Sequence, residues 1–484
     1  MAESLTNKTV RGVAWNSIDR IANYGISFLV SIVLARLLSP EDYGLIGLIN
    51  IFIVIFNVIL DGGLSTALIR REKVTETEYN TVFYSNLVVS VFLALLLVVC
   101  SPFISSFFKR PELIPLLRVM SLVLIINSLA IVQQTKLTRE INFRLQTKIS
   151  VIAHVGSGVI GIVLALMGFG VWALVAQQIS SRLLATLLFW LYGRWMPRLI
   201  FSWNSFKELF GFGWKLLVSR VINSLWGQLY QAVIGKFYSP YTLGLYTRAI
   251  QYAHMFSSGV SDVVLKVSLP VMSSIQSEDE RLITAARKII KTTMFVTFVF
   301  MMEMAAAAKS LVFVLIGEKW LPCVPMLQIV CFNVMFNPLS YINENLLTVK
   351  GRSDKILILQ IFKIVITIIP LLLGIFKDIY WMLIGSAVVS WLAIFLYTYY
   401  TNKYFNYSTI LQIKDISPSF IVALIMAVAV YLLNFLPISG YILLPLQIIV
   451  GFGLIVIIGN TTKLEEYQYV RDMVFGLIKK KIKK

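Results

Sequence analysis

Cysteine and histidine are close to absent from this chain. Three cysteines (Cys100, Cys323, Cys331) and two histidines (His154, His254) are spread over 484 residues. They are too few and too dispersed for a disulfide framework or a Cys/His metal site, which argues against hydrolytic or metal-dependent chemistry built on those groups. Charge is scarce as well. Asp, Glu, Lys and Arg make up 14% of the residues, against about 25% in a soluble domain. Hydrophobic residues reach 58% and the mean hydropathy is +0.81, which excludes an ordinary water-soluble enzyme. No P-loop GxxxxGK[ST] occurs, so the chain by itself is not an ATP-driven pump.

What is present is a succession of long apolar runs, near 13–37, 45–69, 81–106, 114–134, 147–168, 170–193, 214–237, 245–270, 289–314, 325–348, 356–376, 379–401, 418–436 and 441–460. Each has roughly the 20 residues that cross a bilayer as a helix. Backbone in lipid must satisfy its own hydrogen bonds, and nothing alternates over about 10 residues as barrel strands do. The expected class is an all-α polytopic membrane protein with about 14 transmembrane helices. The first run follows MAESLTNKTVRG and is too long for a signal-peptide core, so it reads as a retained span.

Acid is the scarcer charge, with 24 Asp+Glu against 43 Lys+Arg and a net charge of +19. With the N-terminus inside, 29 basic residues fall in cytoplasmic segments and 7 in outer turns. That split predicts cytoplasmic N- and C-termini in a cell membrane, and it accounts for the net charge without a nucleic acid partner. No connection exceeds roughly 20 residues, leaving no room for a separate catalytic domain. Two stretches suit the membrane interface. Phe201–Trp214 is rich in aromatic rings. The tail repeats Leu464, Tyr467, Val470, Val474, Ile478 and Ile482 beside a basic cluster, either as a helix on an anionic leaflet or as a plain orientation signal.

Residues 19–45 resemble residues 219–245 at a constant offset. Arg20, Asn23, Leu29, Val33, Ser39-Pro40 and Gly44-Leu45 recur as Arg220, Asn223, Leu229, Val233, Ser239-Pro240 and Gly244-Leu245. The offset maps span 1 onto span 7. The expected organisation is two parallel six-helix lobes, 1–200 and 201–402, related by an axis along the membrane normal. Residues 403–484 then supply two extra helices and the tail. Transporters commonly place the substrate path between such lobes.

Twelve ionisable residues fall inside the runs: Asp19, Arg20, Asp61, Arg118, Arg182, Arg220, Arg248, Asp262, Lys266, Glu303, Glu344 and Lys363. Each costs about 2.5–3.5 kcal/mol at a helix centre if it faces lipid, so they face protein, water or one another. Polar residues share helix faces with them: Asn16, Arg20, Asn23 and Ser27; Asn57, Asp61 and Ser65; Arg220, Ser224 and Gln231; Arg248, Gln251, Asp262 and Lys266; Asn333, Asn337, Ser340 and Glu344, with Pro338 able to kink that span. The stripes of spans 1, 2, 7 and 8 are expected to line a shared aqueous cavity. Arg248 near its span end also fits a snorkelling anchor, as do Arg118 and Lys363. Asp262 and Lys266 also fit an intrahelical pair. A G-x-G-x-x-G pattern at Gly156–Gly161 has no strand before it, and it reads as close helix packing rather than a dinucleotide site.

The segments ARLLSPEDYGLIGL (35–48), DGGLSTALIRREKVTETEYNTVF (61–83), NFRLQTKISV (142–151), GFGVWALVAQQ (168–178) and GKFYSPYTLGLYTRAIQY (235–252) carry a family likeness. They resemble the polysaccharide transporter branch of the multidrug/oligosaccharidyl-lipid/polysaccharide (MOP) exporter superfamily, in particular Wzx-type lipopolysaccharide and exopolysaccharide flippases. The resemblance implies a non-enzymatic flippase for an oligosaccharide on polyprenyl (undecaprenyl) pyrophosphate, with alternating access from the cytoplasmic to the outer leaflet of a bacterial membrane. Polymerases and glycosyltransferases would be its partners. Guanidinium forks bind phosphate bidentately, which makes Arg20, Arg220, Arg248 and Lys266 candidates for the pyrophosphate. Asn16, Asn23, Asn57, Asn223, Gln228 and Gln231 are candidates for sugar hydroxyls. Asp61, Asp262, Glu303 and Glu344 are candidates for ion coupling or for counter-ions. No cofactor is expected beyond H+ or Na+. A cation-coupled drug exporter of the same superfamily is the alternative, as is a non-transporting scaffold for polysaccharide synthases. The seven basic to five acidic intramembrane residues weigh against the first, and the paired polar stripes weigh against the second.

Overall fold

The computed structural model describes residues 25–193 and 195–482. The side chains at 256, 258–267, 270, 271, 474 and 477–482 lie outside that description. No strand occurs among the described residues. The chain divides into two compact units, one ending at Gly244 and the other beginning at Leu245.

The first unit holds α1 (Gly25–Leu37), α2 (Pro40–Asp61), α3 (Leu64–Arg70), α4 (Glu76–Phe108), α5 (Leu113–Met120), α6 (Leu122–Arg139), α7 (Phe143–Leu166), α8 (Val171–Gly193) and α9 (Trp203–Phe237). Helix α10 (Pro240–Ser274) starts there and runs on into the second unit. That unit continues with α11 (Asp279–Ala306), α12 (Ala308–Ile316), α13 (Val324–Val334), α14 (Asn337–Val349), α15 (Ser353–Phe376), α16 (Ile379–Phe405), α17 (Thr409–Leu432), α18 (Gly440–Thr461) and α19 (Glu465–Ile482). Among the described residues, eleven helical runs are long and apolar enough to cross a membrane. Helices α1, α9 and α10 occupy the places of the other three expected spans. Helices α9 and α10 are the less apolar because they carry the polar stripes. The chain is an all-α, multi-pass membrane protein.

Several expected spans are broken. The run 45–69 is α2 and α3, separated by Gly62 and Gly63 at φ 56° and 72°, a region glycine enters without penalty. The run 325–348 is α13 and α14. Pro338 sits in the first turn of α14, where its missing N–H costs nothing, rather than kinking one continuous helix. The run 114–134 divides at Ser121.

The repeat is visible in how α2 and α10 begin. Ser39 Oγ accepts the Asp42 N–H at 3.2 Å, and Ser239 Oγ accepts the Thr242 N–H at 3.2 Å. Each serine caps a helix that opens with proline. The two starts then cross reciprocally. A Cβ on Gly44 would lie 1.8 Å from the Pro240 carbonyl oxygen, and one on Gly244 would lie 1.8 Å from that of Pro40. Glycine at both positions lets the backbones touch.

At the far end of α2, α3 packs between α4, α6 and α9. Leu64, Leu68, Val82, Phe83, Val132, Trp195 and Leu209 form a buried cluster there. The link from α8 to α9 is strapped onto α4: Trp195 Nε1 donates to Glu76 at 2.9 Å, the Arg198 N–H to Asn80 Oδ1 at 2.6 Å, and the Ser202 N–H to Thr81 Oγ1 at 3.1 Å. The aromatic stretch 201–214 forms the first turns of α9. Phe206 stacks on Trp203 and Phe210 at 5.2 and 5.4 Å, while Trp203 and Trp214 are exposed. The tail is helix α19, not an unstructured signal. Its Tyr467 is buried against Phe295 and Gly459, and Lys291 lies 3.7 Å from both Glu465 and Glu466. The G-x-G-x-x-G glycines serve packing: a Cβ on Gly158 would lie 2.5 Å from Val30, and one on Gly161 2.9 Å from Gln177.

Replacing Gly44 or Gly244 by alanine forces the α2–α10 crossing apart. Each change is expected to lower the thermal stability of the detergent-purified protein by about 1–3 kcal/mol. Gly453→Ala, with nothing within 4 Å of the added Cβ, is expected to leave it unchanged or raised. Equal unfolding temperatures for all three would contradict the crossing.

Candidate functional site

Three helix faces in the first unit converge on a polar cavity of about 610 Å³. Helix α2 contributes Asn57 and Asp61, one turn apart. Helix α6 contributes Asn127, Ile131, Gln134 and Thr138 at steps of four, three and four. Helix α8 contributes Arg182, Ala185, Thr186 and Phe189. Its size falls within the roughly 300–1,000 Å³ of small-molecule sites. Asn127 Nδ2 donates to Asn57 Oδ1, and Asn57 Nδ2 to the Ile53 carbonyl, both at 2.7 Å. Thr135 and Thr186 donate their hydroxyls to the Ile131 and Ile126 carbonyls at 2.8 and 3.1 Å.

Asp61 lines this cavity and is held by Arg220 of α9, Oδ2 to Nη1 at 2.9 Å. The other guanidinium nitrogen donates to Thr66 Oγ1 at 3.1 Å. Asp61 and Arg220 thus form an ion pair at the cavity wall. Further contacts tie α9 to α3 and α4. A Cβ on Gly63 would lie 2.5 Å from the Gly213 carbonyl oxygen. Arg70 stacks 4.4 Å over Phe212. Arg71 bridges Glu78 and Glu208, and the hydrogen bond it donates to Glu208 holds its guanidinium pKa above the ordinary arginine value. Arg139 donates to the Leu68 and Arg71 carbonyls at 2.8 and 2.9 Å.

The remaining expected residues are distributed as follows. Arg20, Asn16 and Asn23 lie outside the described residues, as do the side chains of Asp262 and Lys266. Asn223 on α9 is exposed. Gln228 and Gln231 are half-buried, and Gln228 Oε1 is buried without a hydrogen bond. Arg248 does not snorkel: it is 3% exposed, donates to Gln251 at 2.5 Å and stacks 5.8 Å from the Trp320 ring. In the second unit Glu344 lies near Gln360 and the charge of Lys363, and Lys363 stands ten residues into α15 rather than at its end. Asn333 is taken up by Ser386 and Ser390 of α16, at 2.8 and 2.6 Å. Glu303 is buried against Gly451 of α18, with neither carboxyl oxygen hydrogen-bonded.

Of the two ionisable residues on the cavity wall, Arg182 lies outside the stripes used to assign the site. Arg182 has no partner in the repeat, yet it stands eleven residues from each end of α8 and faces the cavity. Its central depth was the available signal. Arg287 lies within α11 and is bound by both oxygens of Asp415 at 2.8 Å, with Tyr407 donating to the same carboxylate at 2.8 Å.

A family model described as polysaccharide biosynthesis protein matches residues 33–325, more than half of the sequence. The chain belongs to the polysaccharide biosynthesis protein family. It is 27% identical over 357 residues to the teichuronic acid biosynthesis protein TuaB of Bacillus subtilis, covering 72% of this chain and 73% of that one. It is 28% identical over 334 residues to the succinoglycan biosynthesis transport protein ExoT of Rhizobium meliloti, covering 69% and 68%. It is 24% identical over 377 residues to the lipopolysaccharide biosynthesis protein WzxC of Escherichia coli, covering 77% and 76%. Among solved structures, the lipid II flippase MurJ in an inward closed conformation superposes with a TM-score of 0.73 at 14% identity, covering 96% of this chain and all of that one. An inward-facing MATE transporter of the MOP superfamily gives 0.59 at 18% identity, covering 82% and 98%. Both show a shared fold. The resemblance to the polysaccharide branch of the MOP superfamily is borne out.

The ion pairs differ in what they contribute. Asp61–Arg220 is 23% and 47% exposed, so Asp61→Asn or Arg220→Gln is expected to shift unfolding by no more than about 1 kcal/mol. Asp415 is 6% exposed, and Arg287→Gln leaves it short of its donors, at a cost of about 1–3 kcal/mol. Thermal unfolding of the three variants checks the contrast.

Proposed function

We propose that this protein is a flippase that carries a saccharide linked to a polyprenyl diphosphate from the cytoplasmic to the outer leaflet of a bacterial cell membrane, for assembly of a surface polysaccharide. The observation that carries the reading is the polar cavity around Asn57, Asn127 and Arg182, a water-accessible site within membrane-spanning helices of a chain from a polysaccharide biosynthesis family. A scaffold for synthases has no use for such a cavity. An exporter of cationic drugs would need a free acid in it, and Asp61 there is already neutralised by Arg220.

In this reading the protein is a transporter and not an enzyme. Both termini are cytoplasmic, glycosyltransferases supply the cargo and a polymerase consumes it. Alternating access exposes the cavity to one leaflet and then the other. Arg20, Arg220, Arg248 and Lys266 are the cations offered to the diphosphate. Asn16, Asn23, Asn57, Asn223, Gln228 and Gln231 are the polar groups offered to the sugar, and the prenyl tail stays in lipid. An H+ or Na+ gradient supplies the driving force without a bound cofactor. Asp262, Glu303 and Glu344 are the acids through which it would act, with Asp61 as the counter-ion of Arg220.

The test is flipping in proteoliposomes loaded with labelled polyprenyl-diphosphate oligosaccharide. Wild type is expected to translocate the lipid, and Arg220→Ala to slow it tenfold or more with folding intact. Absence of wild-type flipping, together with ion-driven efflux of a cationic dye, would replace this reading with the drug-exporter one.

A further inference from the structure

The cavity of the first unit holds two ionisable side chains among the described residues, Asp61 and Arg182. Asp61 is answered by Arg220 at 2.9 Å. Arg182 is not answered: no described carboxylate pairs with it and no described acceptor takes a hydrogen bond from it. Its Cα stands about 16 Å from either end of α8, at 1.5 Å per residue. A guanidinium stays ionised at that depth and presents five N–H donors in a planar fork. The side chain is exposed at the cavity wall, so its charge faces that space with no described carboxylate beside it.

The other groups on the wall fall into two sets. Asn57 and Asn127 each commit one amide hydrogen, to Ile53 and to Asn57 respectively, and each keeps a second one free. The Gln134 side-chain amide is uncommitted. The amide hydrogens left free on this wall suit an oxyanion, and the uncommitted Asn127 and Gln134 carbonyl oxygens remain acceptors. Thr135 and Thr186 have already spent their hydrogens on carbonyls. They are left as acceptors, which suit hydroxyl groups beside that anion.

We propose that this cavity is an anion seat in which Arg182 takes the diphosphate of the lipid-linked cargo, with Asn57, Asn127 and Gln134 as supporting amide donors. The proposal rests on the flippase reading only for the source of the diphosphate. A diphosphate carries more charge than one arginine neutralises. Its arrival also sets up a competition with Asp61 for Arg220, so binding weakens the tie between α2 and α9.

The test uses full-length protein in detergent, with farnesyl diphosphate as probe and farnesol as the uncharged control. Affinity is read from the shift in melting temperature. Farnesyl diphosphate is expected to stabilise wild type and farnesol is not. Arg182→Gln is expected to weaken the diphosphate response at least tenfold while melting at or above wild type without ligand, because an unpaired charge has been removed. Arg182→Lys should keep part of the response, as a point charge without the fork. A diphosphate response unchanged in Arg182→Gln overturns the proposal. So does an apoprotein that melts well below wild type with Arg182→Lys fully rescuing it, which marks a structural ion pair. If Arg182→Gln fails to fold, Asn127→Leu and Gln134→Leu decide: a response weakened threefold or more supports the seat, and an unchanged one overturns it. Tighter binding of inorganic diphosphate than of the prenyl form assigns the site to a soluble anion and overturns the lipid-linked source. Arg182-dependent binding without flipping of the saccharide lipid in proteoliposomes keeps the seat and removes the flippase reading. Flipping at wild-type rate in Arg182→Gln keeps the function and removes the seat.

Discussion

A polar side chain that enters a membrane-spanning helix has to find its partner inside the protein, and most of this structure follows from how that demand is met. Arg220 meets Asp61, Arg287 meets Asp415, Glu344 faces the charge of Lys363, and Asn333 meets two serines of α16. These pairs fix which helix faces turn inward, and therefore how each unit is packed. They also give the exceptions their meaning. Glu303 and Arg182 are ionisable groups for which the described residues supply no hydrogen bond. The glutamate is sealed against Gly451 of α18. The arginine opens onto a cavity lined with amides and hydroxyls. Only the second has room for a ligand.

The class of the protein is legible in composition and run length because lipid imposes both: about 20 apolar residues per crossing and no unpaired backbone. Where the structure describes them, the fourteen runs correspond to helices, and the six-span offset reappears in the Ser-Pro caps at residues 39 and 239. Hydropathy does not show where a span breaks. Residues 45–69 read as one run, and the break at Gly62–Gly63 is required by the backbone of α9 at Gly213, a contact some 150 residues away. The site is legible only in part for the same reason. Asn57 and Asp61 share a helix face expected to line a cavity with the stripes of spans 1, 7 and 8, and they line the cavity of the first unit beside α6 and α8. Which helices close it depends on α6 and α8, whose Asn127, Gln134 and Arg182 belong to no repeated stripe. Arg220 reads as a free cation in sequence because its partner lies on another helix. A stripe records that a face is polar, and only packing records what the face is polar towards.

The paired glycines carry a consequence of a different kind. Gly44 rests on the carbonyl of Pro240, and Gly244 on that of Pro40. Each surface patch therefore contacts the equivalent of its own partner, which is the signature of an isologous interface between two copies of one chain about a twofold axis. The crossing of α2 with α10 has the geometry of a homodimer contact written into a single polypeptide. A side chain gained at either glycine would collide with the backbone of the opposite helix start, so each position constrains the other through the crossing they form.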